Sequence, residues 1–325
     1  MRYVSPLLML AALCIQVSPS QAQHAHAPAS KLIVPYPAGG VVDVVARILA
    51  PGLRQSLAHE VVVENLSGAA GTIGLQKLVD STPDTGDIAL GTDSDAILAP
   101  LTNTDVRFSP SQIRLVSAVA SAPMALVSGP TSSFASIEAL ITAAAGRRIE
   151  LSCGNYGIGS NSQLVAQDLA DRLGFRCLHV AYRGVAPLLQ DLMSGQVQIS
   201  FLPLAASIPD LIRSGKLTLL AIAADRRSRS FASVPTFVEV RIPEFSYQSW
   251  NGIMMPASAS QVSVNKVHAA LSQTLRDPGV RARIEAAQLE PAVPMSLNEA
   301  ELFFAAESRK YAALVARSRT APAKP

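Results

Sequence analysis

Pro35-Tyr36-Pro37-Ala38-Gly39-Gly40-Val41-Val42-Asp43 follows the apolar run Leu32-Ile33-Val34 and opens a stretch of helical spacing. A strand, a Gly-Gly turn and a helix start in that order form a backbone anion receptor. The unpaired N–H groups of the first helical turn, with the positive end of the macrodipole behind them, receive a carboxylate or phosphate without a charged side chain. The middle of the chain repeats the pattern. Ile149-Glu150-Leu151-Ser152-Cys153 reads as a strand and Gly154-Asn155-Tyr156-Gly157-Ile158-Gly159 as a turn, with Ser160-Asn161-Ser162 opening a helix through side-chain caps. Two such helix starts predict a dianionic ligand held between two lobes.

Outward from these loops, short β-branched runs alternate with helical stretches. Strands are expected at 32–36, 60–64, 87–91, 125–128, 149–153, 178–181, 197–201 and 217–223. Strands separated by helices of this length indicate an α/β fold of mostly parallel sheets flanked by helices. Residues 136–223 make a βαβαβαβ unit of their own, with Gly174, Gly195 and Gly215 placed as left-handed helix caps. Beyond Pro235, Pro243 and Pro256 the chain turns helical, over 264–275, 280–288 and 297–316. The capping-box spacing Ser296-Leu297-Asn298-Glu299 starts the last helix. Pro51, lacking a backbone donor, is expected to end or kink the first helix at Ala50.

Arg2, an apolar run over 6–17 and Ser20-Gln21-Ala22 read as a cleaved signal over 1–22. That run is shorter than the roughly 20 residues a membrane span needs. Leu13 before Cys14 departs from a lipoprotein site, so the reading is an exported, periplasmic chain with room for two domains. Charged residues are 16% of 325 and the net charge is +3, which excludes a basic nucleic-acid surface. Cys153 and Cys177, set on neighbouring parallel strands at unequal heights, are expected to be two buried thiols about 13 Å apart rather than a bridge. His24, His26, His59, His179 and His268 are scattered, without metal-site spacing, and His179 reads as a core or interlobe residue. Gly68-x-x-Gly71-x-x-Gly74 lacks dinucleotide-loop spacing and no Gly-x-Ser-x-Gly elbow occurs, so neither an enzyme nor a cofactor is indicated.

In order along the chain, Tyr36-Pro-Ala-Gly-Gly-Val-Val-Asp-Val-Val-Ala-Arg47, Val61-Val-Val-Glu-Asn65 and Gly68-Ala-Ala-Gly71 are joined by Gly157-Ile-Gly-Ser160, Ala181-Tyr-Arg-Gly184 and Gly195-Gln-Val-Gln198. Ser214-Gly-Lys-Leu217, Val234-Pro-Thr236 and Trp250-Asn-Gly252 complete the set. Together they resemble the Bug family of periplasmic solute-binding proteins of the tripartite tricarboxylate transporter system. The resemblance implies a two-lobed type II periplasmic binding fold that closes on a small organic acid, often a di- or tricarboxylate, and passes it to a membrane permease. The same clamp serves equally for presentation to a sensor kinase, and a monomer is expected. Lobe 1 is placed at 23–122 plus 225–317, lobe 2 at 123–224 and a tail at 318–325. Hinges fall near 121–124 and 223–225.

The resemblance puts the ligand on the first loop, at Tyr36, Pro37, Ala38, Gly39, Gly40 and Asp43. It also puts it on the second, at Asn155, Gly157, Ile158, Gly159, Ser160, Asn161 and Ser162. Several residues carry a plainer reading beside that one. Asp43 suits the helix dipole or an i,i+4 pair with Arg47, Ser160 to Ser162 suit helix capping, and Tyr182 either lines the cleft or covers a sheet edge. Pro83-Asp84-Thr85-Gly86-Asp87 departs from the family's Pro-Asp-Gly-Tyr-Thr turn. Asp93-Ser94-Asp95 stands at a strand's carboxyl edge, where ligands approach open α/β sheets. It reads either as a helix cap or as an acceptor for a ligand amine or ring nitrogen.

Overall fold

The computed structural model describes residues 29–82, 86–146 and 149–320. The expected signal over 1–22, Cys14, His24, His26, the turn at 83–85 and residues 321–325 lie outside them.

The elements run β1 (Ser30–Val34), α1 (Val41–Leu57), β2 (Val61–Asn65), α2 (Thr72–Val79), β3 (Ile88–Thr92), α3 (Ala99–Thr102) and β4 (Ile113–Ser128). They continue with α4 (Ile137–Gly146), β5 (Glu150–Asn155), α5 (Asn161–Leu173), β6 (Arg176–Ala181), α6 (Val185–Ser194), β7 (Ile199–Pro203), α7 (Ile208–Arg213) and β8 (Thr218–Ala223). The last are β9 (Gln248–Pro256), α8 (Gln261–Arg276), α9 (Pro278–Ala286), β10 (Glu290–Pro291) and α10 (Leu297–Thr320). Two parallel units are present, β2-β1-β3 and β6-β5-β7. Between them β9 pairs antiparallel with β3 and β4, and β4 antiparallel with β7 and β8, so the sheets are mixed.

β4 joins the two halves and is far longer than the 125–128 strand expected. Its residues 113–123 pair with β9, and from Met124 onward it pairs with β7 and β8. Pro123 lacks a donor, and its carbonyl accepts from Leu204 while Met124 N–H donates to the Tyr247 carbonyl, so partners change here without a broken strand. The segment after β8 packs back on the second half. Phe237 N–H donates to Ile222 O and Ile222 N–H to Pro235 O, and Phe201, Phe237 and Phe245 cluster with centroids 4.4–5.9 Å apart.

α1 does not stop at Ala50. It runs through Pro51 because Leu49, Leu53 and Leu57 continue the buried stripe started by Val45 and Ile48. A fully buried side chain of this size contributes about 1.5–3 kcal/mol, so the stripe outweighs the roughly 3 kcal/mol a helix-interior proline costs. Gly52 lets α8 approach closely, since a Cβ there would sit 2.7 Å from Thr274 Cγ2. The glycine caps Gly174 and Gly195 hold φ of 77° and 82° as expected. Ser296 and Glu299 form the reciprocal capping pair ahead of α10, which continues to Thr320.

Cys153 and Cys177 are not free thiols. They form a disulfide with Cα atoms 5.8 Å apart. Cys177 stands opposite Leu151 in the parallel register, and Cys153 lies two residues farther along the same face, a diagonal neighbour. The expectation failed by taking Cys153 as the end of its strand, whereas β5 runs on to Asn155.

Candidate ligand-binding site

The carboxyl ends of β1, β3 and β5 deliver the predicted residues to the loops before α1, after β3 and before α5. In the first loop Pro37, Ala38 and Gly39 are exposed and Gly40 is half-buried at the N-cap of α1. Gly39 has φ +82°, which only glycine adopts freely, and Gly40 N–H donates to Pro37 O at 3.3 Å. The amides of Val41 and Val42, in the first helical turn, have no intrahelical acceptor by helix geometry.

Asp43 is buried at 2% exposure and its oxygens are occupied. Oδ2 accepts from Arg47 Nε and Gly39 N–H, each at 2.9 Å, and Oδ1 accepts from Asn65 Nδ2 at 3.0 Å. The Arg47 bond, then the Gly39 and Asn65 bonds, outweigh burial and hold its carboxyl down at about 2. Asp43 thus clamps the loop's shape, which is the plainer of the two readings. Asn65 Nδ2 also reaches Tyr36 O at 3.0 Å, and the Tyr36 hydroxyl bonds Thr92 Oγ1 at 3.0 Å.

The second loop is internally braced. Gly157 N–H donates to Asn155 Oδ1, Gly159 N–H to Gln163 Oε1 at 2.6 Å, and Gln163 N–H to Ser160 Oγ, which makes Ser160 the N-cap of α5. Ser162 Oγ turns to the sheet and bonds Phe201 O at 2.7 Å. Ile158 is 82% exposed at the tip, a large apolar side chain without cover. Gly159 has φ +73°, and a Cβ on it would collide with Thr102 Oγ1, so this loop already touches α3 of the other half. Tyr182 lies apart from this cluster. Its hydroxyl is spent on Asp191 Oδ2 at 2.7 Å.

Asp93 and Asp95 do not act as helix caps. Asp93 is fully buried with helical φ and makes no cap hydrogen bond. Its Oδ2 accepts from Asn161 Nδ2 at 2.7 Å and from the Tyr311 hydroxyl at 2.8 Å, so β3, α5 and α10 meet at one oxygen. Burial raises its carboxyl to about 7, against the lowering effect of those bonds. Asp95, also fully buried, accepts from Thr92 N–H at 2.7 Å and is raised by burial to about 8. The Tyr156 hydroxyl lies against Ser94 and the Ser162 amide, and burial pushes it upward as well.

Thr92, Tyr156, Gln248 and Tyr311 belong to this cluster although sequence reasoning did not place them there. Tyr156 lies inside the quoted turn over 154–159 and Thr92 directly precedes Asp93, whereas Tyr311 comes from 218 residues beyond Asp93 and carries no local signal. His179 lies half-buried on β6, bonded to Gln167 Oε1 at 2.9 Å, and no group of three metal-ligating side chains occurs among the described residues. A separate groove of about 300 Å³ between β4, β9 and the start of α10 is walled by Trp250, Met295 and Phe303 and contains none of the predicted residues.

The model of the tripartite tricarboxylate transporter family receptor matches residues 45–319. The chain belongs to that family. Among receptor-family relatives, BugT of Bordetella pertussis (strain Tohama I) is 31% identical over 294 residues, 88% of this chain and 87% of BugT. The structure of the periplasmic binding protein BugD superposes with a TM-score of 0.77 at 27% identity, over 89% of this chain and 97% of BugD. MatC from Rhodopseudomonas palustris with bound malate superposes at 0.76 and 24% identity, over 88% and 98% of the two chains, a likeness of fold. The α/β fold of mixed sheets flanked by helices matches these periplasmic binding protein structures, and its two-lobed arrangement is consistent with theirs. The family's members are solute-binding receptors of the periplasm rather than enzymes, and they work with the membrane components of a tripartite transporter.

Proposed function

We propose that this receptor captures a small organic acid of the di- or tricarboxylate class by closing two lobes, and hands it to permease subunits after export to the periplasm. The observation that carries the reading is the pairing of two strand-loop-helix units. Gly39-Gly40 before α1 and Gly157-Ile158-Gly159 before α5 both occupy strand carboxyl ends, with first-turn amides available at Val41, Val42 and Asn161. Ligand contacts are assigned to those amides and to Tyr36, Pro37, Ala38, Gly39 and Gly40 on one side. On the other they are assigned to Asn155, Gly157, Ile158, Gly159, Ser160 and Asn161. Asp43, Ser162 and Tyr182 shape the walls.

The lobe division follows where β4 changes partners, at Pro123–Met124. The return crossing is best placed at Tyr247–Gln248 rather than 223–225, because residues 235–237 stay bonded to β8. Ligand bridging both loops biases this hinge toward the closed state.

A thermal-shift screen of the exported chain from Gln23, freed of co-purified ligand, tests the reading. Malate, which MatC holds on the same fold, is the first probe, followed by C4–C6 dicarboxylates and citrate. At about 100 times its dissociation constant a ligand stabilises by roughly 2.7 kcal/mol. Absence of any shift across the panel contradicts the proposal.

A further inference from the structure

Asp93 and Asp95 are buried acids two residues apart, but they face different surroundings. Asp95 is held within the first half of the molecule: it bonds Thr92, stands beside Tyr36, and its Cβ lies 2.8 Å from where a Cβ on Gly71 would sit. Asp93 is covered from the second half. Asn161 Nδ2, at the head of α5, donates to its Oδ2, and Tyr311 donates to the same oxygen from α10. Two more contacts flank that bond, the Tyr156 hydroxyl against Ser94 and Gly159 against Thr102. Residues 93–102 of one half and 156–161 of the other thus meet in a single patch. That patch adjoins the return crossing assigned above, because Asn161 Nδ2 and the Tyr311 hydroxyl each also reach Gln248 O, at 3.4 Å.

Parting the halves at this patch removes the Asn161 bond and admits water to Asp93. Oδ2 already accepts two bonds, so the proton of the neutral acid belongs on Oδ1, which has no partner among the described residues. A neutral acid tolerates the closed patch, whereas a carboxylate gives up its hydration there and favours the open one. The titratable groups facing Asp93 are Glu307, Lys310 and Tyr311 on α10, Tyr156 of the second half, and Asp95 and Tyr36 of the first. Lys310 pairs with Glu307 at 2.6 Å, so their opposed effects on Asp93 offset and burial governs it. The histidines of the described residues are engaged elsewhere, His59 with Ser30, His179 with Gln167 and His268 with Met295 O.

We infer that the contact between Asp93 and Asn161 is a proton-dependent latch on lobe closure: the neutral acid holds the halves together before any ligand arrives, and its ionisation releases them. The inference rests on the lobe-closure reading above and adds how that motion is regulated. On opening at neutral pH the Asp93 O–H bond breaks, the proton passes to the solvent buffer and the carboxylate is hydrated. On closing the carboxylate takes a proton up again. Asp93 has the ordinary value of 3.8 in water and about 7 when covered. The closed form therefore loses up to about tenfold in its ratio to the open form per pH unit as pH rises from about 4 to 7, and the loss levels off above.

Small-angle X-ray scattering of the ligand-free exported chain reads the open and closed populations without a known ligand, with circular dichroism confirming at each pH that the chain is folded. Wild type is expected to move from compact toward extended profiles between pH 5 and pH 8, its closed-to-open ratio falling about tenfold or more. Asp93→Asn, a neutral isostere, is expected to stay compact throughout, and Asp95→Asn to keep the wild-type response. Asn161→Ala, which removes the other side of the latch, is expected to be more extended than wild type already at pH 5. A wild-type profile that ignores pH, a response that survives Asp93→Asn or vanishes in Asp95→Asn, or a folded Asn161→Ala as compact as wild type at pH 5 overturns the latch. Each of those results leaves the organic-acid reading standing, since that reading fails only by the ligand panel.

Discussion

Asn161 Nδ2 donates to Asp93 Oδ2 at 2.7 Å, tying the first residue of α5 to the end of β3 across 68 residues of sequence. Tyr311 donates to the same oxygen from α10 at 2.8 Å. One carboxylate thus gathers both halves of the molecule and its last helix, in a setting where burial opposes its ionisation.

That opposition makes stability depend on pH. The folded-state values of Asp93 and Asp95, about 7 and about 8, lie above the ordinary carboxylate value of 3.8. A raised acid holds its proton in the fold, so stability is greatest below about 4 on their account and declines as pH rises through 7 to 8. The limiting slope is about 1.4 kcal/mol per pH unit for each proton held. Melting of the ligand-free chain is therefore expected to fall between pH 5 and 8.5, and Asp93→Asn to flatten that fall. A flat wild-type profile would sink the assignment.

Asp43 has the opposite sign. Held at about 2 by Arg47 first, then by Gly39 and Asn65, it stabilises the fold above the ordinary value and loses that effect as pH falls from about 4 through 2. Asp43→Ala is expected to destabilise by about 1–3 kcal/mol at pH 7, as the three donors lose a buried acceptor. Denaturant titration at pH 7 and pH 2.5 measures the difference, which should shrink at the lower pH.

Joining strands β5 and β6, the Cys153–Cys177 bridge closes a loop with a sequence separation of 24. Chain-entropy reasoning gives about 3 kcal/mol for a loop of that size. The double variant Cys153→Ala, Cys177→Ala should melt lower by that amount and be insensitive to dithiothreitol, whereas wild type should drop on reduction. Equal melting of both proteins, with and without reductant, would show that the bridge does not stabilise the fold.

Removing the Tyr311 hydroxyl tests α10 as a brace for Asp93. Tyr311→Phe keeps the buried ring and deletes one donor, with an expected loss of about 1–2 kcal/mol in urea unfolding. The loss should be greater above pH 8, where Asp93 ionises in the fold and relies on its donors.

Much of this arrangement was legible in the sequence, for local reasons. The glycine turns, the Ser160 and Ser296 caps and the αL glycines Gly174 and Gly195 depend on neighbours within a turn, so spacing alone places them. Relations settled by tertiary packing were not legible. α1 passes Pro51 because its far half is buried against α8, and β4 doubles as a strand of both sheets because its two ends find different partners. The disulfide turned on a two-residue error in where β5 ends, since register decides which side chains are diagonal neighbours. Asp93 read plausibly as a helix cap because its true partners, Asn161 and Tyr311, lie 68 and 218 residues away.

Capture of an organic acid by the two facing loops is tested most directly by titration calorimetry of the ligand-free exported chain, wild type against Gly40→Val. Gly40 has φ −73°, which valine adopts without strain, and its Cβ would meet Pro37 O at 3.3 Å, so the fold should survive while the new methyl groups crowd the amides of α1. The expected result is a one-to-one isotherm for at least one acid of the panel, weakened a hundredfold or more by the substitution. An acid that binds Gly40→Val as tightly as wild type, or no heat from any acid with a chain shown to be folded, would contradict it.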